Sequence, residues 1–172
     1  MASILLKQPP QALSRAAFLA LYGPVYEHSH WIAEAIFASG LTEDHRTAEG
    51  LQAAMAAVVE AAPSERRLAL LRAHPDLAGR LAIRGELTAQ SAAEQAGAGL
   101  GDCGAGEFQR FTALNEAYKA KFGFPFIMAV KGRSRGEILA AFERRVANNP
   151  AAELRTALDE VHKIALLRLR DM

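Results

Sequence analysis

One cysteine in 172 residues leaves no partner for an intrachain disulfide and no thiolate set for a zinc or iron–sulfur site. Cys103, within Gly101-Asp-Cys-Gly-Ala-Gly106, is therefore expected to be a free thiol in a reducing compartment. An excess of either charge is also missing. Twenty Lys and Arg stand against 19 Asp and Glu, a net charge of +1, which offers no overall electrostatic footprint for nucleic acid or an acidic membrane surface. No apolar run approaches the ~20 residues of a membrane span. The opening Met-Ala-Ser-Ile-Leu-Leu-Lys-Gln-Pro-Pro lacks the charged start and long apolar region of a secretory signal. The closing Leu-Arg-Asp-Met lacks a Ser-Lys-Leu peroxisomal address, so a cytoplasmic location is the expectation. A phosphate-cradling Gly-x-Gly-x-x-Gly or Walker pattern in strand–loop–helix context is absent too, and a nucleotide cofactor is not indicated.

What is present is an ordinary globular composition, 51% apolar and 23% charged, at a length that suits one domain over residues 1–172. Apolar spacing is helical almost throughout. Ser14 is positioned to cap a helix through Phe18 and Leu21, and Pro24 suits the first turn of a second, carrying Ile32, Ala35 and Ile36 and stopping near Gly40. A third is expected from about Asp44 to Ala62. Pro63-Ser64 opens a fourth through Leu68 and Leu71, which Pro75 forces to end around His74. Thr88 or Ser91 starts another through Gln95, which dissolves into Gly97-Ala-Gly-Leu-Gly101. From about Glu107, Phe108, Phe111, Leu114, Tyr118 and Phe122 step by three or four. Ser134-x-x-Glu137 is a capping box, and Asn149-Pro150 opens the last helix, with Leu154, Leu158, Val161 and Ala165 facing inward. Only Phe124-Pro-Phe-Ile-Met-Ala-Val130, flanked by Gly123 and Gly132, breaks the pattern and reads as a buried extended connector. The expectation is an all-α bundle of about eight helices with this one short connector.

Three polar features stand out against that background. His74 precedes a proline, and such a residue avoids helical geometry. Its imidazole is thus expected to project from a turn, with an unperturbed pKa near 6.5 that suits proton transfer at cellular pH. A histidine complementing the dipole at a helix end is the structural alternative. Ser91, Glu94 and Gln95 are spaced i, i+3, i+4 and share one helix face, although Ser-x-x-Glu is also a capping pattern. Arg168 lies seven residues after Val161 and three after Ala165, on the apolar stripe of the last helix. There it must meet an anion, snorkel at the helix end, or pair with a structural carboxylate. His28 and His30 are two residues apart, point in different directions on a helix, and complete no metal-ligand spacing; no metal is expected.

Together these residues resemble a known family. His74-Pro-Asp-Leu-Ala-Gly79, Leu87-Thr-x-x-Ser91-x-x-Glu94-Gln95, and Tyr118-Lys-x-Lys-Phe-Gly-Phe-Pro-Phe-Ile127 with Val130-Lys-Gly132 are similar to blocks of the 2-oxo-4-hydroxy-4-carboxy-5-ureidoimidazoline (OHCU) decarboxylases. The likeness extends to Phe18…Glu27-His-Ser-His-Trp31 and to Lys163-Ile-Ala-x-x-Arg168-Leu169, nearly the whole chain. It implies an all-helical carboxy-lyase of urate breakdown that converts OHCU to (S)-allantoin without a cofactor, commonly as a homodimer. It also implies His74 as the catalytic histidine, Glu94 as its acidic partner and Arg168 as the arginine of the site. Pro75, Ser91, Gln95 and the connector residues Phe126, Ile127, Met128, Ala129 and Val130 fall at substrate-contacting positions. The reaction so implied explains the short residue list. The carboxylate leaves a carbon next to a C=N bond, so the ring imine receives its electrons and no external electron sink is required.

Overall fold

A computed structural model describes residues 3–77 and 105–172. Among them are seven α-helices and no strand: α1 (Arg15–Tyr22), α2 (Trp31–Ser39), α3 (Ala48–Ala61), α4 (Ser64–Arg72), α5 (Ala105–Phe122), α6 (Arg135–Val146) and α7 (Pro150–Asp171). The all-α expectation is met. The helix expected from Thr88 or Ser91, and Cys103, lie outside the described residues, as does the side chain of Phe108.

Local chemistry sets most helix ends. Ser14 caps α1 by accepting from the Ala17 amide. Ser134 and Glu137 form the reciprocal capping box of α6, and the Asn149 side chain accepts from the Ala152 amide at the start of α7. Gly40, at φ 92°, ends α2 in a backbone conformation open to glycine. α4 stops at Arg72, with Ala73 as its C-cap and His74 in the bend that follows.

Two expected starts are displaced. Pro24 belongs to a 3-10 turn (Gly23–Val25), and α2 begins only at Trp31. The fixed φ of proline suits either kind of turn, and a β-turn closed by Ser29 N–H to Tyr26 O interrupts the segment. The third helix likewise begins as a separate 3-10 turn (Glu43–Arg46), and Thr47 then caps α3 through the Gly50 amide.

The chain groups into two compact units, one of Met1–Ala73 with His162–Met172, the other His74–Val161. In the first, Phe18, Tyr22, Ile32, Ile36, Leu51, Met55, Val59 and Leu71 are buried. The core of the second is aromatic: Phe126 stacks on Phe142 at 3.9 Å between centroids, and Tyr118 meets Phe124, Phe126 and Phe142 edge-on. Such pairs add about 0.5–1.5 kcal/mol each beyond the area they bury. Two of these rings belong to the connector, so the core fixes where the connector runs. The connector is extended, as expected, and glycines of positive φ stand at both ends, Gly123 at 75° and Gly132 at 77°.

Candidate active site

His74 is 8% exposed. Pro75 and Asp76 beside it are half-buried and Leu77 is buried. Lys119 of α5 donates to Asp76 Oδ2 at 3.2 Å. The Lys119 ammonium is also 3.0 Å from Glu116, and these carboxylates, Glu116 first, raise its pKa. The turn that follows the imidazole is therefore tied to α5 two residues beyond it.

The connector is held by its backbone as well as by its rings. Arg145 of α6 donates through Nη1 to Ile127 O at 2.7 Å and lies 4.5 Å over the Phe126 ring. The same guanidinium donates through Nε to Glu153 Oε1 at 2.8 Å. Glu153, fully buried on α7, also accepts from the Tyr118 hydroxyl at 2.5 Å and the Asn148 side-chain amide at 2.8 Å. Burial, reinforced by that carboxylate, pushes the Tyr118 hydroxyl pKa far above its usual value. Two turns along α7, Glu160 Oε2 accepts from the Ala129 amide at 2.8 Å. Phe126, Ile127 and Val130 are buried, while Met128 and Ala129 between them are half-buried.

Arg168, in the first unit, is 4% exposed. It donates to Glu27 Oε2 at 2.9 Å and to Val25 O at 3.2 Å. Glu27 is fully buried. It occupies position i+1 of the Tyr26–Ser29 turn, whose i+2 residue, His28, has a φ of 53°. Glycine or asparagine is usual at a positive φ there; a histidine costs about 1–2 kcal/mol. Tyr26, beside Glu27, is secured from α7 as well. Its hydroxyl is 2.8 Å from His162 Nδ1, and His162 Nε2 is 3.1 Å from Glu60. Burial drives the Tyr26 hydroxyl pKa well upward. α7 thus fixes the turn at two points, about a turn and a half apart.

Residues 11–170 match the family profile of the OHCU decarboxylases. The chain belongs to the OHCU decarboxylase family. It is 44% identical over 164 residues to the 2-oxo-4-hydroxy-4-carboxy-5-ureidoimidazoline decarboxylase of Haloferax volcanii, spanning 95% of this chain and 94% of that one. A crystal structure of (S)-allantoin synthase superposes with a TM-score of 0.74 at 35% identity, covering 94% of this chain and 52% of that chain. A crystal structure of OHCU decarboxylase in the presence of (S)-allantoin gives 0.62 at 26% identity, covering 82% and 89%.

As a member of the OHCU decarboxylase family the protein is a carboxy-lyase acting on a small molecule. Of the site residues expected from sequence, the second unit carries His74, Pro75 and the five connector residues, and the first carries Arg168. Ser91, Glu94 and Gln95 lie outside the described residues. Among the alternatives open to Arg168, snorkelling is excluded by its burial, and Glu27 is the structural carboxylate it meets. Among the described residues no group of three or more His, Cys, Asp or Glu is placed to hold a metal. His28 is exposed, and the His30 ring lies where a β-carbon on Gly23 would collide with it. No helix among the described residues is long and apolar enough to cross a membrane.

Four further residues escaped sequence reasoning as individuals: Glu27, Arg145, Glu153 and Glu160. Glu153 left a readable signal. It sits eight residues before Val161, on the same buried stripe as Ala157 and Arg168, whereas Leu154, expected to face inward, is only half-buried.

Proposed function

We propose that this protein decarboxylates OHCU to (S)-allantoin without a cofactor, with His74 as general acid and base. The observation that carries this reading is a buried imidazole at a helix end, His74, in a chain of this family. The C4–carboxylate bond breaks heterolytically, and its electron pair forms a C4–C5 π bond as the C5=N π pair collects on nitrogen, which takes a proton. Protonation at C5 on one face and loss of the C4 hydroxyl proton then give the carbonyl of the product. His74 takes that hydroxyl proton, and Glu94 orients and polarises the imidazole. Arg168 is the cation that meets a substrate anion or carbonyl, with Glu27 holding the guanidinium in place. Pro75, Ser91 and Gln95 line the ring, and amides of Phe126–Val130 donate to its carbonyl and ureido oxygens. The enzyme works as a cytoplasmic homodimer.

The test is circular dichroism with freshly generated OHCU, since spontaneous decay yields racemic product. The parent protein should develop the (S)-allantoin signal, and His74→Gln should lose about 10²–10⁴-fold in turnover, the usual contribution of a positioned acid–base. Near-normal turnover by His74→Gln removes it from the chemistry. A racemic product from the parent removes the reaction itself.

A further inference from the structure

We infer that Arg145 and Glu160 are positioning residues for substrate recognition, acting through the connector without touching the substrate. This rests on the proposed contact between the connector and the ring.

The two side chains grip the connector backbone on either side of Met128. Arg145 Nη1 donates to Ile127 O at 2.7 Å, and Glu160 Oε2 accepts from Ala129 N at 2.8 Å. In a trans peptide the C=O and the N–H point opposite ways. The Met128 amide is therefore directed away from the bound Ile127 carbonyl, and the Met128 carbonyl away from the bound Ala129 amide. Holding the two bound groups sets the direction of the Met128 pair, which is a donor and an acceptor side by side. That edge complements a ligand carrying an adjacent N–H and C=O, as the urea and ring amide groups of a ureidoimidazoline do.

The grip is itself rigid. Arg145 is only 11% exposed as a side chain, with its Nη2 2.6 Å from Glu153, which is fully buried. Tyr118 and Asn148 bind the same carboxylate. Five donors in a fixed fork allow Arg145 to hold Glu153 and Ile127 O together, whereas a lysine offers one point charge. The buried charge pair is thus tied to the connector backbone in addition to the core.

Three measurements on the intact protein test this. In the 15N-labelled parent, the amide signals of Phe126–Val130 should shift on titration with (S)-allantoin. Arg145→Lys, which keeps the charge beside Glu153, and Glu160→Ala, a change at a half-buried helical site, should each raise Kd for (S)-allantoin and KM by about tenfold, the scale of a charge-assisted hydrogen bond. Their kcat should stay within about threefold, because the chemistry lies elsewhere. A purely structural role would lower melting temperature and leave affinity unchanged in the folded protein. Connector amides that do not shift in the parent overturn the connector contact and this inference with it. Shifting amides with unchanged affinity in the variants overturn this inference alone, and Glu160→Ala decides that if Arg145→Lys does not fold.

Discussion

Removing one member of the Arg168–Glu27 pair should cost far more than removing both. The pair is buried on both sides, 3% and 0% exposed at the side chains, at 2.9 Å. Glu27→Leu leaves a guanidinium in a buried site with its carboxylate gone, and Arg168→Met leaves the carboxylate without that cation. Deleting one partner of a buried ion pair costs about 3–5 kcal/mol. For a chain of this length each kcal/mol lowers Tm by roughly 2–4 °C, so each single variant should melt about 6–20 °C below the parent. Glu27→Leu combined with Arg168→Met replaces the pair by apolar groups of similar size. Such exchanges are often neutral or stabilising by about 1–4 kcal/mol, so the double variant should recover most of the loss. The assay is urea unfolding of parent, two singles and double as a double-mutant cycle, with decarboxylation measured on each. Single variants within about 1 kcal/mol of the parent would refute the energetic reasoning, since burial and distance would then carry no cost. A stable double variant that still turns over normally would falsify the proposed contact of Arg168 with substrate and leave the stability argument standing.

Other consequences follow from the same geometry. Ser134→Ala, which removes the hydroxyl that accepts from the Glu137 amide, should destabilise by about 1 kcal/mol in thermal melts. Hydrogen bonds from Ser134 lower the carboxyl pKa of Glu137 below 4.5, and those from the Ile4 amide and Arg170 do the same for Glu49. For both groups the unfolded chain binds its proton at higher pH, so their stabilisation is present above about pH 4.5 and is lost as pH falls through the lowered folded values. Glu49→Gln with Glu137→Gln should flatten the acid limb of Tm against pH, and an unchanged limb would contradict the assignment. Burial pushes the Tyr22 hydroxyl from 10.0 up to about 12, and it donates to Gln8 O at 2.5 Å. The unfolded chain ionises first, so this stabilisation holds below pH 10 and declines as pH rises towards 12. Tyr22→Phe should shallow that alkaline decline when stability is followed by far-UV circular dichroism.

How much of this was legible follows from where each residue's partners lie along the chain. Helix ends declared themselves because their chemistry is local. Ser14 caps an amide three residues away, and so does Asn149; Pro75 acts on the residue before it. Pro24 misled because proline presets φ without choosing between an α-helix and a 3-10 turn. The deciding feature, a turn with His28 at positive φ, carries no glycine to announce it. Nothing in the sequence around His162 announces its partners, since Tyr26 and Glu60 are 136 and 102 residues distant. Arg168 is the instructive case. Its place on an apolar stripe left an anion, a structural carboxylate or the helix end open, and the stripe could not say which, since Glu27 is 141 residues away. The same reasoning applies without change to Glu153 on the same helix, where the answering cation, Arg145, is only eight residues back. A charged residue on a buried helical face thus predicts a partner wherever it occurs, and the two on α7 serve different units: Arg168 holds the Tyr26–Ser29 turn, and Glu153, through Arg145, holds the connector. Periodicity locates such a charge, and only the fold supplies the group that answers it.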